Sequence, residues 1–214
     1  VLGRNSIRIV EEESFYGLKL LTSLELSMHS IQTLKTNLFL KMQNLRILNL
    51  RRNLIETIEK RSFSGLNSLL VLFLNENRIK FILTEIFYEM RISSKLHLES
   101  NLIEDIEENS FVGVYNLTEL DLFWNKLKIL RKKSFFHLKN LKKLNLDLNL
   151  IELIEEKTFA GLSNLIELKL NHNKIKSIQK GLFSELRKLE ILSIKVNLID
   201  SIEEGCFDGL NNLK

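Results

Sequence analysis

The fold that the sequence predicts is a right-handed solenoid of stacked parallel strands, α/β by formal class but dominated by β-structure. Three periodicities predict it. Phe15, Phe39, Phe63, Phe87, Phe111, Phe135, Phe159, Phe183 and Phe207 recur every 24 residues. Asn5, Asn53, Asn77, Asn101, Asn125, Asn149, Asn173 and Asn197 keep the same period, with His29 holding the one remaining place. Leu24, Leu48, Leu72, Leu96, Leu120, Leu144, Leu168 and Leu192 form a third column, each followed two residues later by Leu or, at the last, by Ile194. Fixed self-similarity at this period is the mark of a repeat architecture.

Each element of the unit L-x-x-L-x-L-x-x-N-x-I-x-x-I-x-x-x-x-F-x-x-L has a physical role. The L-x-L triplet alternates inward and outward, as a strand must. One strand per 24 residues leaves enough chain to return and run parallel to its neighbour. The Asn stands at an apolar boundary, where its amide can both donate to and accept from the backbone of the turn leaving the strand. Phe is the bulkiest recurring core residue and fills the wider outer side of each coil. Burying the apolar side chains of one unit is worth on the order of 10–20 kcal/mol. Ordering 24 residues costs about as much or more, so a lone unit is unstable and stacking decides the fold.

With these columns in place, the chain resembles the leucine-rich repeat family in its 24-residue typical subtype, over essentially its whole length. The resemblance implies one solenoid over residues 1–214, with about eight full repeats, partial ends and a concave sheet. That subtype is similar to the ectodomains of Toll-like receptor, Slit and acid-labile-subunit type proteins. The likeness implies an extracellular or cell-surface location, no catalysis, no cofactor and a protein ligand on the concave face. Two alternatives stand beside a receptor or adhesion ectodomain: a secreted structural or carrier protein, and an intracellular scaffold or regulatory subunit. The cysteine-rich caps usual in those ectodomains are absent, and the chain has no Pro. It starts at Val1 without an initiator Met and ends partway through a unit, which is expected of a segment of a longer protein.

A longer period overlies the first. Gly17, Gly65, Gly113, Gly161 and Gly209 lie 48 residues apart. Three residues beyond each Asn place, the sequence reads Arg8 and Gln32 and then alternates as Glu56, Lys80, Glu104, Lys128, Glu152, Lys176 and Asp200. An acidic unit followed by a basic one is therefore expected to be the true building block. Equivalent places on adjacent coils should lie near the strand spacing of about 5 Å. The alternation then predicts a self-neutralising ladder, each exposed rung worth about 0–1 kcal/mol.

The outward residues of the strands vary while the frame does not, as a recognition surface requires. Among them Ile47, Val71 and Phe73 are apolar on adjacent strands, and Phe123 with Trp124, the only Trp, is expected together on a later one. Exposed aromatics on a sheet are the type of residue that anchors protein interfaces. Arg51, His97 and Asp121 complete the candidate ligand-binding set. Around this face Arg46, Arg52, Lys95, Lys142, Lys143, Lys169 and Lys195 are opposed by Glu25, Glu76, Glu99, Glu119, Asp147, Glu167 and Glu190. That balance leaves no basic groove for a phosphate backbone, so nucleic acid is not the expected ligand.

Other signals are weaker. Net charge is +4, with 44% hydrophobic and 27% charged residues, and no apolar run approaches the roughly 18 residues of a membrane span. His97 and Asp121 share a column on neighbouring strands and are expected to form a local polar pair, not a catalytic dyad. His29, His137 and His172 are scattered, and no metal site is expected. There is no phosphate-binding Gly loop and no nucleophile motif. Cys206, the lone cysteine, takes a place held elsewhere by Ser or Thr and reads as a small buried thiol. Asn116 opens the only N-glycosylation sequon, completed by Thr118. Ser93 replaces a core aliphatic, which predicts a looser coil over 90–96 with faster amide exchange.

Overall fold

The computed structural model describes residues 2–88, 90, 92 and 94–214. Its strands Ser23–Glu25, Ile47–Asn49, Val71–Phe73, Lys95–His97, Glu119–Asp121, Lys143–Asn145, Glu167–Lys169 and Ile191–Ser193 form a single parallel sheet in chain order. The register advances by one repeat at every step: Leu24 faces Leu48, Leu72 faces Leu96, and Leu144 faces Leu168. Each strand is only the central Leu and its two neighbours, because the L-x-L triplet is all the alternation the unit supplies. Inward residues such as Leu48, Leu72, Leu120 and Leu144 are buried, while their flanking partners lie half-exposed over the concave face.

The strands end abruptly because the residue before each Asn turns left-handed. Arg52, Glu76, Ser100, Trp124, Leu148 and His172 all have φ between 53° and 56° or 59°, a region that L-residues enter at a cost of roughly 1–2 kcal/mol. The Asn ladder holds them there. Asn101 Nδ2 donates to Leu74 O and Leu98 O, both at 3.0 Å, while its Oδ1 accepts the Ile79 N–H at 3.1 Å. The same three bonds recur at Asn53, Asn77, Asn125, Asn149, Asn173 and Asn197. Each amide both donates and accepts, as expected, and in doing so also ties its own turn to the preceding coil.

Opposite the sheet, the nine Phe side chains align in one internal spine. Consecutive rings from Phe15 to Phe207 stack with centroids 5.8–6.4 Å apart and planes within 22°. Among the described residues the return segments contain turns and no helix. They also carry two-residue strands, and here the longer period reappears. Thr33–Leu34 pairs with Thr57–Ile58, Phe81–Ile82 with Asp105–Ile106, Ile129–Leu130 with Leu153–Ile154, and Ser177–Ile178 with Ser201–Ile202.

These pairings group the coils the opposite way from the sequence reading: the basic unit leads and the acidic one follows. Two interactions explain the order. The Glu six residues beyond the acidic unit's Asn accepts a backbone N–H from the coil before it. Glu59 serves Thr36, Glu107 serves Thr84, Glu155 serves Lys132 and Glu203 serves Lys180, at 2.7–2.9 Å. The Gly of the acidic unit lets the two backbones close. Gly65 has φ +90°, and a Cβ there would lie 2.3 Å from Leu40 O; Gly161, at φ +83°, would meet Phe136 O at 2.6 Å.

The expected ladder takes a different form too. Among the described residues no ion pair joins Glu56 to Lys80 or Glu104 to Lys128. Charge crosses diagonally between doublets instead, from Arg78 to Glu56 at 3.6 Å and from Lys174 to Glu152 at 3.7 Å. The side chains project from the flank, so reach along the diagonal decides the partner. Met90, Ile92, Val114 and Leu96 are buried; Ser93, on which the looser coil was predicted, lies outside the described residues.

Candidate functional site

The concave sheet brings most of the candidate residues onto one face. Ile47 is 41% exposed and faces Val71 in register, and Phe73 faces His97. The Phe73 and His97 rings stack with centroids 4.8 Å apart and planes at 14°. Parallel strands place equal positions side by side, so a ring on one strand naturally covers a ring on the next.

Arg51 lies just beyond the end of the Ile47–Asn49 strand, and its guanidinium is already engaged. It pairs with Glu76, whose other oxygen receives Arg52 Nε at 2.5 Å. The hydrogen bond from Arg52, followed by that from Arg51, holds the Glu76 carboxyl below its ordinary range. Other charges on the face also pair locally. Lys95 Nζ meets Glu119 at 2.7 Å, Lys169 meets Glu167 at 3.1 Å, and Asn49 Nδ2 donates to Glu25 at 2.9 Å. Eleven residues from Lys95 to Lys169 line a shallow hollow of about 160 Å³ in the middle of this face.

Two placements differ from expectation. Phe123 and Trp124 both lie past the end of the Glu119–Asp121 strand, and they diverge. Phe123 is half-buried, whereas Trp124 is 63% exposed with φ 54°. The left-handed turn swings Trp124 off the sheet onto the rim, where it borders a separate hollow with Ser100, Leu102 and Lys126. His97 also chooses another partner: its Nδ1 lies 3.3 Å from Glu99 Oε1, while Asp121 Oδ1 accepts the Phe123 N–H at 3.0 Å. Glu99, missed as a site residue, follows His97 by two, and that period-two spacing was the signal that could have found it. Burial, and then the nearby charge of Glu99, raises the Asp121 carboxyl above its ordinary range.

Cys206 is buried, and desolvation pushes its thiol upward. Asn116 is exposed beside a groove bordered by Gly65, Tyr88 and Gly113, away from the sheet. Among the described residues no helix is long and apolar enough to cross a membrane.

A curved parallel sheet with a fixed apolar interior and a variable outer face defines a repeat solenoid. The chain belongs to the leucine-rich repeat family: residues 80–214 match the BspA type leucine rich repeat region in six copies, and residues 21–79 match the leucine rich repeat. It is similar to the leucine-rich repeat protein of the TLR13–ssRNA13 complex, with TM-score 0.93 and 30% identity over 99% of this chain. It is similar also to FLRT2 in an octameric complex with latrophilin 3 and Unc5D, with TM-score 0.81 and 29% identity over 92% of this chain. The Drosophila Toll–Spatzle complex shares the fold at TM-score 0.93 and 23% identity, over the whole chain. The chain spans 31%, 60% and 29% of those three respectively. No curated protein matches it in sequence. All three were solved as complexes, with single-stranded RNA, with Spatzle, and with latrophilin 3 and Unc5D.

Proposed function

We propose that residues 1–214 act as one non-catalytic recognition module of a cell-surface receptor or adhesion protein, binding a protein ligand on the concave face. The observation that carries this reading is the contrast along each strand. Inward positions are almost invariantly Leu, whereas outward ones change at every coil and include the apolar step Ile47, Val71 and Phe73 on two adjacent strands. An exposed Ile47 beside half-buried Val71 and Phe73, set among paired charges, makes an anchor-and-rim pattern. Phe123 extends the face, and Trp124 supplies a rim contact.

Local pairing of Arg51, Lys95 and Lys169 with carboxylates favours protein over a nucleic-acid backbone. The TLR13 complex contains single-stranded RNA, so RNA belongs in the test. A panel of extracellular proteins should yield a partner whose binding weakens at least about tenfold in Phe73→Ala/Trp124→Ala. Unchanged binding in that double variant removes the concave-face reading. Tight, salt-sensitive binding of single-stranded RNA would replace it.

In a secreted setting Asn116 carries an N-glycan on the return side, clear of the sheet. Treatment with a peptide:N-glycosidase should reduce the mass of secreted protein, and the Thr118→Ala variant should show no such change.

A further inference from the structure

We propose that His97, Glu99 and Asp121 form a binding site for a divalent first-row transition ion of the zinc class on the concave face. The backbone builds the cluster. His97 faces Asp121 across neighbouring strands, and Glu99 follows His97 on the same side. One ligand atom from each of the three lies within 4.8 Å of the others.

The geometry admits an ion once the side chains close in from separations of up to 4.8 Å. The 3.3 Å between His97 Nδ1 and Glu99 Oε1 is long for a charge-assisted contact. It matches the edge of a tetrahedron whose metal–ligand bonds are about 2.0–2.1 Å, roughly 3.3–3.4 Å. Glu99 Oε2 is an independent observation: the atom is buried and has no hydrogen-bond partner among the described residues. Neighbouring carboxylates on the face each have a donor, as Glu25 has Asn49, Glu76 has Arg51 and Arg52, Glu119 has Lys95, and Asp147 has Asn171. Asp121 commits Oδ1 to the Phe123 N–H and keeps Oδ2 for a ligand.

The remaining features set the class of ion. One imidazole and two carboxylates favour zinc, cobalt or nickel over magnesium and calcium, which prefer all-oxygen shells. The stack of His97 on Phe73 fixes the plane of the imidazole before any ion arrives. Three protein ligands leave a fourth position open to the hollow, the arrangement of a site that can take a further ligand. The inference does not depend on the protein-binding reading, because the ion alone is the ligand.

Isothermal titration of the full 214-residue chain with zinc chloride, in a non-chelating buffer near neutral pH, tests it. One ion per chain with micromolar affinity is expected. Glu99→Gln and Asp121→Asn should each weaken it by about tenfold or more, and His172→Ala should leave it unchanged. Cobalt should give the visible absorption of a four-coordinate ion in the native chain and not in Glu99→Gln. Circular dichroism and melting confirm that the near-isosteric variants stay folded. Absence of binding at millimolar zinc, or affinity unaltered in both Glu99→Gln and Asp121→Asn, overturns the site.

Discussion

Truncating Phe111 to Ala tests the stacking principle on which the architecture depends. Phe111 is fully buried and lies between Phe87 at 5.8 Å and Phe135 at 6.0 Å. Removing a buried Phe side chain and leaving its cavity costs about 3–5 kcal/mol. Each stacked neighbour contributes about 0.5–1.5 kcal/mol beyond its area, so two of them place the cost toward the upper end, about 4–5 kcal/mol. Phe207 is the matched control, because it is 42% exposed and stacks only on Phe183. With roughly half the burial and one neighbour, Phe207→Ala should cost about 1–2 kcal/mol. Guanidinium unfolding followed by far-UV circular dichroism gives both values. Hydrogen exchange should show protection lost on both sides of residue 111, as nearest-neighbour coupling in a solenoid requires. Equal costs for the two variants, or a cost for Phe111→Ala below about 1.5 kcal/mol, would refute the spine as the principal outer support.

Four further outcomes follow from the same contacts. Gly65→Ala drives a Cβ to 2.3 Å from Leu40 O and should lower stability by more than about 2 kcal/mol; Gly181→Ala, with positive φ but open space, should cost only about 1 kcal/mol in the same denaturation assay. Glu155→Ala removes the acceptor of the Lys132 N–H and should cost about 1–2 kcal/mol, whereas Glu156→Ala beside it should change chemical stability little. Glu76 titrates below the ordinary carboxylate range because Arg52 and then Arg51 hold its ionised form. A depressed folded pKa means stability that is fully present above the unfolded carboxylate pKa and lost as pH falls through the lower folded value. The melting-temperature advantage of the native chain over Glu76→Gln should therefore be full at neutral pH and shrink in acid; an advantage that grows in acid contradicts the pairing. Native Cys206 should react slowly with maleimide and rapidly in urea, since burial both covers the thiol and raises its pKa.

The candidate face was legible as a column pattern, but less so in its contacts. Ile47, Val71, Phe73, His97 and Asp121 were placed by period two alone, and they lie where that period puts them. Trp124 escaped the pattern because a left-handed residue breaks the alternation at the strand's end, and the φ of a non-Gly residue leaves no mark in its own identity. Glu99 was read only as one charge in a balance. Its proximity to His97 depends on rotamers that column counting does not contain.

The sequence by itself determined the length of the coil, the inward set of Leu, Ile and Phe, the position of the Asn, and the existence of a 48-residue doublet. These are periodic quantities, and a stacked parallel chain converts period directly into neighbourhood. Only the tertiary structure decided how the doublet divides, with the basic coil leading. A period of 48 has no origin, so the division is set by which backbone groups a side chain can reach: Glu59, Glu107, Glu155 and Glu203 reach backward to unpaired N–H groups, and Gly65 and Gly161 permit the close approach in the same direction.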